Sequence, residues 1–193
     1  MKNEKTTRDE QALNAKKKVI DTMMALMTDK SFDTLSVRYI CKEAGISTGT
    51  FYYHFGSKDK LLQKMYKDYC LEFERSIIKK LEHLDHVEKI IMYCTYHTLN
   101  IANLSTEFVK KIYSIENKYL LSPEHRTESY MYKVFVDGQN KGIFTKEKDA
   151  YNVIDNILRI DYGIASYCII SNNYDSSAVT RELIGDYLKS LLL

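Results

Sequence analysis

VRYICKEAGISTGTFYYHFGSK, residues Val37 to Lys58, decides how the rest of the chain is read. Ile40 and Ala44 give the opening residues of this stretch a single apolar stripe at helical spacing. Gly45 supplies a residue free to take positive φ, which ends that helix. Ser47 then accepts the free N–H groups at the start of a second helix, about Thr48 to His54. A helix this short does not stand alone in water, so it is expected to be held by packing through Ile46, Phe51 and Phe55. Two short helices meeting at a glycine and handing on to a third follow the helix-turn-helix pattern.

With those three residues turned inward, the outward face is Ser47, Thr48, Gly49, Thr50, Tyr52, Tyr53 and His54. Small residues at a helix start let a duplex come close, and hydroxyls and imidazole reach phosphate oxygens or base edges. Ser57 caps the third helix and sets Lys58 beside its N-terminal amides, a natural place for a phosphate. Arg38 sits early on the helix capped by Ser36, where a guanidinium can bind guanine or phosphate with two parallel bonds. The competing reading for Tyr52, Tyr53 and His54 is plain packing, because an aromatic pair in a short helix often closes a small core.

The run Leu35-Ser36-Val37-Arg38, then Ala44-Gly45-Ile46-Ser47, then Gly49-Thr50-Phe51-Tyr52-Tyr53-His54-Phe55 with Ser57-Lys58 and Leu61-Leu62, resembles the N-terminal signature of the tetracycline-repressor (TetR) family of bacterial transcription regulators. The resemblance covers roughly Ala15 to Tyr69. Ser31 stands where the family usually has glycine, and Cys41 where it usually has alanine. The resemblance implies an all-α homodimer: an N-terminal three-helix helix-turn-helix DNA-binding domain, and a C-terminal helical domain for effector binding and dimerisation. The expected division is a DNA-binding domain over 1–56, the start of a connector helix over 57–71, and an effector and dimerisation domain over 72–193.

Composition agrees with an ordinary globular chain: of 193 residues, 45% are apolar and 28% charged, with net charge +2. Residues 1–70 carry 13 Lys and Arg against 9 Asp and Glu, and the remainder 15 against 17. The positive excess lies at the end expected to meet DNA, although a solvated lysine face gives the same count. Cys41, Cys70, Cys94 and Cys168 form no C-x-x-C pair and no zinc-finger spacing, which points to a reducing, cytoplasmic setting with no metal or cofactor. No apolar signal segment follows the charged start, and no apolar run approaches the roughly 18 residues a bilayer requires, so no membrane partner is expected. Hydrolase elbows and phosphate-cradling glycine loops are missing, which argues against an enzyme.

Along the chain, Thr7 to Glu10 offers a capping box for a first helix whose stripe is Val19, Ile20, Met23, Met24 and Met27. The methionines read as core filler, with a ligand surface as the alternative. Lys16, Lys17 and Lys18 either reach flanking phosphates or line a solvated face. A connector helix is expected from Ser57 to about Glu82, about 40 Å long. Further helices are read over Val87 to Asn103, Ser105 to Lys118, Ser122 to Asn140 (started by Ser122-Pro123-Glu124), Asp149 to Ile170 and Ser176 to Leu192.

Tyrosines crowd this C-terminal region, and each buried hydroxyl needs a partner. Tyr93, Tyr96, Tyr113, Tyr130 and Tyr162, with His97 and Asn100, are the candidate walls of a pocket for an apolar or aromatic small-molecule effector. The alternative is that they are half-buried surface residues of a tyrosine-rich chain. The last two helices are apolar on more than one side, and Gly163 and Ser166 allow close approach of another helix. Gly163, Ser166, Tyr167, Ile170, Leu183, Tyr187 and Leu191 are therefore the candidate dimer interface, a two-fold four-helix arrangement. The function these features imply is a ligand-responsive repressor holding double-stranded palindromic operator DNA as a homodimer. A helical DNA-organising or protein-docking dimer without an effector is the alternative.

Overall fold

Uninterrupted apolar stripes, punctuated by serine and aspartate caps, lead to an all-helical chain. The computed structural model describes residues 2–114, 129–171 and 175–193. Among these residues the α-helices are α1 (Lys2–Asp29), α2 (Val37–Ala44), α3 (Thr48–Phe55), α4 (Lys58–Leu81), α5 (His86–Ile101), α6 (Thr106–Ile112), α7 (Tyr130–Asn140), α8 (Ala150–Ile170) and α9 (Ser176–Lys189), with a 3₁₀ turn at Phe32–Thr34. The described residues contain no strand, only an isolated antiparallel bridge between Phe144 and Leu192.

The chain divides into two compact units, one of Met1–Asp68 with Ser105–Ile112, the other of Tyr69–Leu104 with Tyr113–Leu193. In the first, α1 buries Val19, Met23 and Met27 and packs on α2 and α6, and α2 packs on α3. Helix α6 lies between α5 and α7 in sequence, yet it packs on α1 and the 3₁₀ turn, burying Phe108, Val109 and Ile112. The three methionines of the stripe are core filler to different degrees, with Met23 and Met27 buried and Met24 half-buried.

In the second unit, α5 is the central helix: α7, α8 and α9 all pack on it. The core joins Phe73, Ile77 and Leu81 of α4 to Ile90 and Ile91 of α5, Phe135 of α7, Ile154 and Ile157 of α8 and Ile184 and Leu188 of α9. The rings of Phe135 and Phe144 stack 4.6 Å apart. Gly138 makes this possible, since a Cβ there would lie 2.5 Å from the Phe144 ring.

Several boundaries differ from the sequence reading. Helix α1 reaches back to Lys2 instead of starting near Thr7, because Lys2 to Glu10 has no glycine or proline to stop it. Helix α6 ends at Ile112, short of Lys118. The expected start at Ser122-Pro123-Glu124 lies outside the described residues. Its continuous run to Asn140 does not hold, since Ser129 is in extended conformation and begins α7 afresh, its hydroxyl accepting from Tyr132 N–H. Helix α9 stops at Lys189, and the chain beyond it turns back to pair with the segment after α7: Thr145 N–H donates to Leu191 C=O at 2.8 Å and Leu193 N–H to Ile143 C=O. That turn carries Leu191 into the core, so it is not a surface residue of the proposed interface.

Candidate functional site

The two-helix element is built by its caps. Ser36 Oγ accepts from Tyr39 N–H at the start of α2. At its end Gly45 takes φ 65°, and Ile46 N–H donates to Cys41 C=O at 3.0 Å while Gly45 N–H reaches Lys42 C=O. Ser47 Oγ accepts from Thr50 N–H at 3.0 Å and shares a hydrogen bond with the Thr50 hydroxyl at 2.9 Å. Phe51 and Phe55 are buried and Ile46 half-buried, so the inward face of α3 is the one its periodicity predicts. The two phenylalanine rings meet at 5.4 Å.

On the outward side Ser47, Thr48, Gly49 and Tyr52 are exposed, as is Arg38 on α2, and Tyr53 is 82% exposed. Thr50 and His54 are half-buried. Burial, and next the charge of nearby Lys16, hold the His54 imidazole below its usual value, so it is neutral at neutral pH. Among the described residues nothing demands a glycine at 49: a Cβ there would meet Ser47 Oγ at an ordinary 3.6 Å. A helix-destabilising residue with no internal reason leaves room on the outside. Lys17 and Lys18 are exposed on α1.

Lys58 is turned in part towards the 3₁₀ turn. Its ammonium donates to Phe32 C=O at 2.8 Å and Leu35 C=O at 3.0 Å, and lies 4.4 Å from the centre of the Phe32 ring. The carbonyls at the end of the 3₁₀ turn outcompete the solvent side for two of its three N–H bonds. Ser57 caps α4 as expected, accepting from Lys60 N–H.

In the second unit, the tyrosines expected to line one pocket gather about two polar centres, Glu74 and the His97–Asp161 pair, joined by Phe73, whose ring lies 5.3 Å from Tyr93 and 5.5 Å from His97. Tyr93 is buried and its hydroxyl donates to Glu74 Oε1 at 3.2 Å; the same oxygen accepts from Tyr130 N–H, and the Tyr93 and Tyr130 rings stack 5.9 Å apart. Tyr96 is half-buried under the Lys80 ammonium. The other group forms around His97, whose Nδ1 lies 2.6 Å from Asp161 Oδ2. Asp161 is 1% exposed. The rings of Tyr69, Phe73 and Tyr162 lie 6.5, 5.5 and 6.4 Å from the His97 ring, and Tyr113 lies 5.2 Å from Tyr162. Burial above all pushes the Tyr69 hydroxyl above its usual value, with the Asn100 side chain opposing the shift. Burial above all, and then the Asp161 charge, push the Tyr113 hydroxyl well above its usual value.

Asp161, Tyr69, Phe73 and Glu74 were not among the site residues expected from sequence. The signal for Asp161 was there: it continues the α8 core stripe of Ile154, Ile157 and Leu158 towards Ile164 and Ala165. An acid on such a stripe is a buried acid. Of the expected interface residues, Gly163 is exposed with open space around it, Tyr167 is 53% and Leu183 47% exposed, and Ser166 and Tyr187 are half-buried. The Tyr187 hydroxyl accepts from Asn156 Nδ2. The Ile170 side chain lies outside the described residues. Among the described residues no helix is long and apolar enough to cross a membrane, and no three His, Cys, Asp or Glu side chains are grouped to hold a metal ion.

Residues 19–65 match the family described as bacterial regulatory proteins, tetR family. The chain is 22% identical over 152 residues to the HTH-type transcriptional regulator UidR of Escherichia coli (strain K12), covering 76% of this chain and 78% of that one. Among solved structures it is similar to RolR in complex with resorcinol (TM-score 0.73, 16% identity, 95% of this chain and 90% of that one). It is also similar to a tetR family transcription regulator from Shewanella sp. PV-4 (TM-score 0.71, 18% identity, 93% and 98%).

Proposed function

The chain belongs to the TetR family of bacterial transcriptional regulators, with the family's DNA-binding domain in its N-terminal residues, and from that premise we propose that it is a ligand-responsive repressor binding a palindromic operator as a homodimer. The observation that carries the reading is the bare outward face of α3. Thr48, Gly49, Tyr52 and Tyr53 stand exposed on a helix held rigidly from behind by two buried phenylalanines, with Arg38 exposed on the preceding helix. Arg38, Ser47, Thr48, Gly49, Thr50, Tyr52, Tyr53 and His54 are the residues assigned to DNA. Lys58 joins them through the one N–H not given to the 3₁₀ turn.

One such helix makes few base contacts. Two related by a dyad occupy successive major grooves about 34–36 Å apart and read a palindrome. The outward face of α8 and α9, with Gly163, Ser166, Tyr167, Leu183 and Tyr187, supports pairing between copies. The family's response to small molecules enters through the second unit; the structurally similar RolR was solved with resorcinol. Helix α4 runs continuously from Lys58 in one unit to Leu81 in the other, and α6 ends one residue before Tyr113. An effector favouring one arrangement of these helices would change operator affinity, with couplings of this kind amounting to about 1–3 kcal/mol.

The test is selection of bound duplexes from a random pool by the purified protein. Enrichment of one two-fold symmetric site supports a specific regulator. A pool that stays unenriched, with or without added metabolites, overturns the reading.

A further inference from the structure

The second unit buries a carboxylate that the described residues do not fully satisfy. Asp161 Oδ2 pairs with His97, but Oδ1 has no hydrogen-bond partner among the described residues, and neither has the buried hydroxyl of Tyr113. Buried polar atoms are nearly always partnered, and a carboxylate oxygen left alone costs more than most. Among the described residues the basic side chain beside Asp161 is His97, with no lysine or arginine paired to it. Around His97 stand the rings of Tyr69, Phe73 and Tyr162.

Building on the reading of this unit as the effector-sensing one, we propose that the effector is an amine bound in its protonated form, its ammonium donating to Asp161 Oδ1 and to the Tyr113 hydroxyl oxygen, its apolar body lying against the Tyr69, Phe73 and Tyr162 rings. An ammonium supplies both missing hydrogen bonds, since a tyrosine oxygen accepts as well as donates. With the imidazole neutral, it also supplies the positive charge that the carboxylate lacks, and ring faces attract cations and strengthen as water is excluded. A carboxylate or phosphate ligand meets the opposite situation, a like charge in a buried setting. A neutral alcohol can satisfy the hydrogen bonds but not the charge. Tyr113 follows directly on Ile112, the last residue of α6, so a ligand held by its hydroxyl acts on the end of a helix that belongs to the DNA-binding unit.

The chain has no tryptophan, so the fluorescence of an added indole, excited beyond the tyrosine absorption band, can be followed against little background from the protein. Tryptamine, tryptophol and indole-3-acetate, alike but for a cationic, neutral or anionic end, are titrated into the full-length protein. Tryptamine is expected to bind about tenfold more tightly than either of the others, and Asp161→Asn to abolish that preference. Should Asp161→Asn not fold, Tyr113→Phe, which keeps the ring, is expected to weaken tryptamine selectively. Equal affinities, an order led by the alcohol or the acid, or no saturable tryptamine binding overturns the inference. A protein that enriches a palindrome yet fails this test loses the amine and keeps its role as a regulator; one that fails in duplex selection loses that role whatever the indoles do.

Discussion

Lys111 near the end of α6 pairs with Asp33 of the 3₁₀ turn, its Nζ 2.8 Å from Asp33 Oδ1 and 5.5 Å from the centre of the Phe32 ring. With Lys58 holding the Phe32 and Leu35 carbonyls, the turn that enters the helix-turn-helix is fastened by two lysines more than fifty residues apart in sequence. Asp33 is largely exposed, so the ion pair itself contributes little. The apolar face beneath it matters more.

Phe108 is fully buried on that face. Phe108→Ala is expected to destabilise the N-terminal unit by about 3–5 kcal/mol and to lower operator affinity, although it lies more than fifty residues beyond the outward face of α3. Urea unfolding followed by tyrosine signals, together with operator titration, checks both effects; unaltered stability would separate α6 from this unit.

Lys58→Met removes the donor from two carbonyls while keeping the length of the side chain. A loss of about 1–3 kcal/mol in unfolding free energy is expected, beyond any loss of phosphate contact. If Lys58 served only as a phosphate ligand, the variant would unfold like the wild type and only its salt dependence of DNA binding would change.

Gly49→Ala should act in opposite directions on fold and function. The space is free within the chain, so helix propensity predicts stabilisation by up to about 1 kcal/mol. Close approach of DNA predicts weaker operator binding. Thermal unfolding and gel-shift titration of the same preparation measure the two, and a variant that is both more stable and equally tight would remove Gly49 from the interface.

His54 offers a pH test with two signs. Its folded-state value lies below that of the unfolded chain, so the unfolded state takes up more protons as pH falls through about 6.5, and the N-terminal unit loses stability there. A phosphate beside the imidazole would favour the charged form, so operator affinity should rise over the same window. In His54→Gln both slopes should vanish. An affinity that is flat between neutral pH and about pH 5 would take His54 away from the backbone of the DNA.

Gly163→Glu places a charge on the exposed face of α8, where a Cβ meets no atom of the described residues within 4 Å. Folded monomers are the expected product, seen by sedimentation. A variant that still pairs would move the interface elsewhere.

The first unit was legible because its signals are local. Gly45, Ser36, Ser47 and Ser57 each act on backbone groups within a few residues, so one pass along the sequence finds them, and every one of these caps is present. The direction of the Lys58 side chain was not legible, because its partners at Phe32 and Leu35 are met only after folding. The same holds for α6, whose apolar face is equally suited to either unit on periodicity alone. Among the tyrosines, composition predicted crowding but not grouping. Glu74, on another helix, captures Tyr93 and leaves His97, Tyr113 and Tyr162 to Asp161. Leu191 shows the limit of a stripe, since it continues the α9 pattern past the point where the helix has ended.

The return of α6 to the first unit bears on how such regulators exchange segments. A first unit whose last helix is encoded beyond α4 and α5 cannot be transplanted by one crossover near residue 68. Such a splice would join one parent's α1 and entry turn to the other parent's Phe108, Val109 and Ile112, two surfaces never selected to fit. Functional hybrids with this chain should therefore be recovered when residues 105–112 travel with residues 1–68, and inheritance of new operator specificity should leave a second, short tract of shared ancestry in the middle of the gene.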